Sequence, residues 1–147
     1  MIFSRTIDYA LRIAVALAYR HDQPATTREL AADTKVPPAY LTKVIRAISQ
    51  AGIVQSSRGV GGGHHLTRPP SEITLLDVLH AVEDSNRIHS CPLGCKPKDK
   101  AICGLHTCID QAITLIEDHF AAIPLSEFIT NPKFRKFCPM RRSPRKK

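Results

Sequence analysis

Val36-Pro37-Pro38 divides the stretch from Thr26 to Gly52 into two short helices that cannot merge into one. Pro37 pushes Val36 out of the helical region, which ends the first helix near Thr34. Pro38 suits the first turn of a second helix, where a missing N–H is no loss. Thr26 and Glu29, three residues apart, have the spacing of a capping box at the start of the first helix. Leu41, Val44, Ile45 and Ile48 recur at helical spacing and predict one buried stripe on the second. Gly52 follows, placed for a left-handed residue at the helix end. Next come Ile53 to Ser56, read as a strand, a turn from Arg58 to Gly63 with four glycines, and His64 to Thr67 as the returning strand. The order predicts a winged helix-turn-helix whose second helix enters the DNA major groove.

Charge favours that reading over a plain helical core with a solvated face. The exposed side of the second helix carries Tyr40, Thr42, Lys43, Arg46 and Gln50, which can donate to phosphates or base edges, and no acid. Between Arg28 and Arg68 there are six Lys/Arg (28, 35, 43, 46, 58, 68) against two acids, Glu29 and Asp33. Residues 1–130 as a whole hold thirteen of each sign, so the local surplus marks a nucleic-acid face. The net charge of +8 comes from the eight Lys/Arg beyond Asn131, where there is no acid. That tail reads as a disordered basic arm, either adding salt-sensitive DNA affinity or merely solvated.

The remaining pattern is mainly helical. Ile7, Ala10, Leu11, Ala14, Leu17 and Ala18 form the stripe of a first helix over residues 1–20, with Asp8 near its positive end. Thr74 and Asp77 have capping spacing before Leu75, Val78, Leu79 and Val82. A polar loop runs from about Asp84 to Leu105. A helix from about Gly104 to Ala122 carries Leu105, Ile109, Ala112, Ile113, Ile116 and Phe120, and a stripe that long points to a second copy of the chain as its cover, ahead of burial against its own domain. The expected division is 1–84 winged helix-turn-helix, 85–104 cysteine-rich loop, 105–130 dimerisation region and 131–147 basic tail.

Cys91, Cys95, Cys103 and Cys108 fall within eighteen residues, with Lys96, Lys98 and Lys100 between them. Paired thiols at such spacing fit zinc, and thiolates gathered by a loop also fit an iron–sulfur cluster. Cys138 reads as a free thiol. There is no apolar run long enough to span a bilayer and no secretory signal pattern, so the expected setting is the cytoplasm. No Ser/His/Asp order, phosphate loop or carboxylate pair points to an enzyme.

Three blocks together resemble the Rrf-two family of bacterial regulators: TIDYALRIAVALA, the segment from Val36 through the arginine-glycine wing and Arg68-Pro69-Pro70 to Glu83, and a cysteine triplet before a long helix. The resemblance runs from Ile2 to about Phe120. It implies a homodimer on a palindromic operator in double-stranded DNA, acting as a repressor, and in many members a [4Fe-4S] or [2Fe-2S] cluster that sets DNA affinity. Carried over by residue, Cys91, Cys95 and Cys103 match the thiolate ligands. The fourth ligand stays open: Asp8 matches the partner-supplied carboxylate of NsrR-type members and His106 the histidine of IscR-type members, while Cys108 has no usual counterpart. Arg58, with Gly59 beside it, matches the wing arginine of the minor groove, and Arg28, Tyr40, Thr42, Lys43 and Arg46 fall on the DNA side. Cys95 sits closer to Cys91 than the family spacing, so Cys108 is its alternative. His64 stands where a tyrosine is customary.

Overall fold

The computed structural model describes residues 3–84, 87–92, 94 and 102–137. Helix α1 (Arg5–Tyr19) is the central post. Ser4 caps it by accepting from the Ile7 N–H. Every residue from Ile13 to Tyr19 is buried. A helix apolar all round must be surrounded, and α1 is enclosed by α2, α3, α4 and the wing.

Helices α2 (Thr27–Thr34) and α3 (Pro38–Gln50) form where the prolines and the cap place them. The Thr26 hydroxyl accepts from the Glu29 N–H at 3.2 Å, and the Glu29 carboxylate accepts from the Thr26 N–H at 2.8 Å. Lys35 takes a left-handed φ of 57° and turns the chain between the helices, its N–H reaching the Ala31 carbonyl. Arg20, almost buried at the end of α1, reaches Asp33 of α2 at 2.7 Å and locks the pair. Leu41, Val44, Ile45 and Ile48 are all buried, as the periodicity predicts.

The wing is an antiparallel hairpin of β1 (Val54–Ser57) and β2 (Gly63–Leu66), with Val54 opposite Leu66 and Ser57 opposite Gly63. β1 starts and ends one residue later than expected, and β2 one residue earlier. Gly52, at φ 75°, first reverses the chain, so Ile53 serves the core and accepts from the Thr67 N–H. Ala25 pairs with His64 through two backbone bonds of 2.9 and 2.8 Å, adding a short third edge. This close approach demands glycine at 63, where a Cβ would lie 2.8 Å from the Ala25 carbonyl oxygen.

Helix α4 (Leu75–Val82) begins with the Thr74–Asp77 capping box and packs back on α1 and α3. Helix α5 (Gly104–Ala121) has no buried residue in this chain. Ile113 and Ile116 face Phe3, Ile7 and Leu79, while Leu105, Ile109 and Leu115 stand exposed. The chain then returns to the core. Leu75 donates to Ile123, Leu125 donates to Ile73, and the Leu125 side chain is fully buried. Helix α6 (Glu127–Thr130) follows, with the Tyr19 hydroxyl donating to the Phe128 carbonyl.

The tail expected to be disordered from Asn131 is helical in its first residues, and 138–147 lie outside the described residues. Helix α7 (Pro132–Phe137) forms there, opened by proline at its first position and by Asn131 accepting from the Lys133 N–H. Phe134 lies 5.1 Å from Phe128, ring to ring. A count of basic residues misses this aromatic anchor. Cys95, Lys96, Lys98, Lys100 and Cys138 lie outside the described residues.

Candidate nucleic-acid interface and thiol–imidazole site

Burial of one side of α3 forces the other outward. Tyr40 is 51% exposed, and Thr42, Lys43, Arg46 and Gln50 are exposed with it. Arg28 on α2 and Arg58 and Gly59 at the wing turn are also exposed. Gly59 needs a φ of 97°, which only glycine adopts readily. The residues expected on the DNA side are therefore all open to solvent.

Two features behind these residues carry no local sequence signal. The His64 imidazole spans the wing and α2: Nδ1 lies 2.7 Å from the Ser56 hydroxyl and Nε2 3.0 Å from the Thr27 hydroxyl. Burial, and next the neighbouring His65, hold its pKa below the ordinary 6.5. Arg12 of α1 pairs with Asp8 at 2.6 Å, donates to the Thr34 carbonyl at 3.4 Å, and lies over the Tyr9 ring. Tyr9 in turn meets Tyr40 edge-on at 5.7 Å.

At the other end of the molecule, Cys103 is the residue before α5 and His106 lies within its first turn. The loop after α4 brings Cys91 to them. Cys103 Sγ and His106 Nδ1 are 3.0 Å apart, Cys91 Sγ and His106 Nδ1 3.6 Å, and the three donor atoms all lie within 4.8 Å of one another. Two thiols and an imidazole form a soft donor set suited to zinc or to iron held through sulfur. The donor atoms are close enough together to share one metal ion.

The other predicted ligands are not gathered there. Cys108 is exposed, and two residues beyond His106 it points roughly 200° around the helix. Asp8 sits on α1, paired with Arg12 of its own chain. Cys95 lies outside the described residues.

Behind the trio is an arrangement that spacing in the sequence does not reveal. Arg87 forks onto Asp110 of α5, with Nε at 2.7 Å and Nη2 at 2.9 Å from its two oxygens. The Ile88 N–H donates to the same carboxylate at 2.9 Å. The Arg87 hydrogen bonds and then the Ile88 N–H lower the Asp110 pKa, and Asp110 raises that of Arg87. Glu117, further along α5, meets His80 of α4 at 3.3 Å.

A basic, solvent-facing second helix beside a glycine-turned hairpin defines a winged helix-turn-helix regulator that binds DNA. Among the described residues, no helix is long and apolar enough to cross a membrane. The Rrf2 family, described as an iron-dependent transcriptional regulator, matches residues 3–131, and the chain belongs to that family of regulators rather than to an enzyme family. Among its relatives, a protein of Aquifex aeolicus (strain VF5) described as an HTH-type transcriptional regulator is 30% identical over 132 residues, covering 88% of this chain and 92% of that one. The HTH-type transcriptional regulator NsrR of Bacillus licheniformis is 28% identical over 127 residues, covering 84% and 89%. The solved structure of T. potens IscR superposes with a TM-score of 0.73 at 22% identity, covering 88% of this chain and 86% of that chain. CymR, the global cysteine regulator of B. subtilis, superposes at 0.68 and 21% identity, covering 86% and 94%. At these identities the two structures speak for the fold.

Proposed function

We propose that the chain is a homodimeric cytoplasmic repressor whose affinity for a palindromic operator is set by an iron–sulfur cluster. The observation that carries this reading is the convergence of Cys91, Cys103 and His106 at the start of a helix whose outer side is uncovered. These three residues would hold the cluster, with Cys95 and the partner's Asp8 as the further candidates. When bound, such a cluster, [4Fe-4S] or [2Fe-2S], supplies a centre sensitive to nitric oxide, oxidants and iron supply.

The chain's own residues do the rest. Cys91 ties its part of the loop to the start of α5, so loss of its bond there frees the Cys91 side chain. Leu105, Ile109 and Leu115 pair α5 with its twin, giving two reading heads one helical turn of DNA apart. On each head, Tyr40, Thr42, Lys43 and Arg46 enter the major groove, and Arg28 takes a phosphate. Arg58, presented by the Gly59 turn, enters the minor groove. Labour then divides as 1–84 reader, 85–104 ligand loop, 105–130 dimer region and 131–147 basic arm, the arm beginning in α7.

Oxygen-free purification with iron and acid-labile sulfide analysis tests the proposal. Iron and sulfide are expected, lost together in Cys103→Ala, with operator affinity changing in parallel. Colourless protein without either removes the cluster. The compactness of the trio supports a second reading, a single zinc ion or a bare thiol pair regulating the same fold. Stoichiometric zinc that survives air would select the zinc form. A metal-free protein whose DNA binding follows thiol oxidation would select the thiol pair.

A further inference from the structure

We infer that Asp110 is the positioning residue that delivers Cys91 to the thiol–imidazole site, with the Arg87 fork as its clamp. The inference rests on the proposal that the trio binds a metal centre, and it adds a residue that no spacing rule selects.

Cys103 and His106 need no help to meet, because the opening of one helix carries both. Cys91 does. It lies nine residues past the end of α4 at Val82, and nine residues of free chain can reach about 30 Å. Asp110 shortens that tether. Its carboxylate accepts from the Ile88 N–H and from both prongs of Arg87, which pins the loop three residues before Cys91. Three residues reach about 10 Å. Asp110 itself sits one helical turn beyond His106 on the same face of α5, about 6 Å along the axis. The remaining tether therefore spans the gap with little slack, and the search volume of the Cys91 sulfur collapses around the site.

The groups that meet this carboxylate are consistent with a permanent anchor. Asp110 stays ionised because Arg87 and the Ile88 N–H favour its charged form. Arg87 also lies 4.0 Å from Glu117, which itself meets His80 of α4. The clamp is thus continuous with the contact between α5 and the reading head.

Cobalt(II) is the probe, because its thiolate absorption reports bound sulfur directly. Full-length reduced protein is titrated with cobalt(II), then challenged with a chelator. In parallel, metal-free protein is alkylated and each cysteine followed by peptide mass. Asp110→Ala should release cobalt about 10-fold to 100-fold faster than the parent, the usual cost of losing the group that orients a ligand. Arg87→Ala, which keeps the Ile88 bond, should lose less. In the metal-free protein, Cys91 should alkylate faster in Asp110→Ala, while Cys108, exposed on the same helix, keeps its parental rate. Unchanged release and unchanged Cys91 reactivity would overturn the inference. Equal acceleration at Cys108 would also overturn it, by showing that α5 has simply loosened. A parent protein that binds no cobalt, with His106→Ala no different, would instead sink the metal reading and leave the alkylation comparison to judge the anchor.

Discussion

The reading head and the α5 end are built on opposite plans. Around α1 the elements are tied within the chain: Thr26 and Thr74 close capping boxes, Arg20 clamps α2, and Ile13, Leu17, Leu30, Leu41 and Ile48 are at most 1% exposed. Helix α5 is longer than any of these helices, yet none of its residues is buried. Leu105 and Leu115 remain 63% and 71% exposed. The head is finished within one chain. The α5 end carries the thiol–imidazole trio on a helix that this chain leaves largely uncovered. On the proposed function, stability and sensing are thereby separated.

The contrast is open to direct attack. Leu115→Asp should have the largest effect: a charge in a coiled-coil seam should weaken self-association roughly 30-fold or more, seen by sedimentation, and remove tight operator binding while the monomer stays folded. An unchanged association state would show that α5 has another cover. Ile48→Ala should cost about 2–5 kcal/mol in denaturant unfolding of the head, against almost nothing for Leu115→Ala at a concentration where the chain is monomeric. Comparable losses would erase the contrast.

Arg58→Ala and Lys43→Ala should each weaken operator binding by about 1–3 kcal/mol in titrations. Lys43→Ala should also flatten the salt dependence, whereas the Arg58 effect should depend on A·T content at the flanks. Thr26→Ala should cost about 1 kcal/mol of head stability. The Thr26 backbone N–H, followed by its hydroxyl, lowers the Glu29 pKa below 4.5, so this part of stability is present at pH 5 and above. It is lost as acid protonates the folded carboxylate, and Glu29→Gln should flatten that acid limb of the melting curve.

The smallest effect is expected at His64. Its depressed pKa means that the unfolded chain takes up a proton first as pH falls below 6.5. The wing should loosen in that window, and operator affinity at pH 5.5 should fall a few-fold more in the parent than in His64→Gln. Identical profiles would detach the imidazole from wing placement.

How much of this could be read in advance follows the range of the interactions. The capping boxes, the proline break and the Gly52 reversal act within four residues and stand in the sequence as they do in the structure. The α5 stripe is visible as one apolar run, but a helical wheel alone does not say that Ile113 and Ile116 line a cleft with Phe3, Ile7 and Leu79 while Leu105, Ile109 and Leu115 stand exposed. Arg87 and Asp110 are 23 residues apart, and His64 and Thr27 are 37 apart. No periodicity links such pairs; only the folded chain brings them together. The burial of Leu125 was hidden for the same reason, since its partner Ile73 lies beyond the whole cysteine loop.

The bonds from Leu75 to Ile123 and from Leu125 to Ile73 fasten one end of α5 and leave the other end long. Eighteen residues make an arm of about 27 Å. Tilting that arm by about 5° about its fastened end carries Cys103 through roughly 2 Å while Phe120 scarcely moves. Such leverage runs badly backwards: little travel at the thiols reaches the fulcrum. Motion at the thiols is therefore spent mainly at the Cys103 end of the helix.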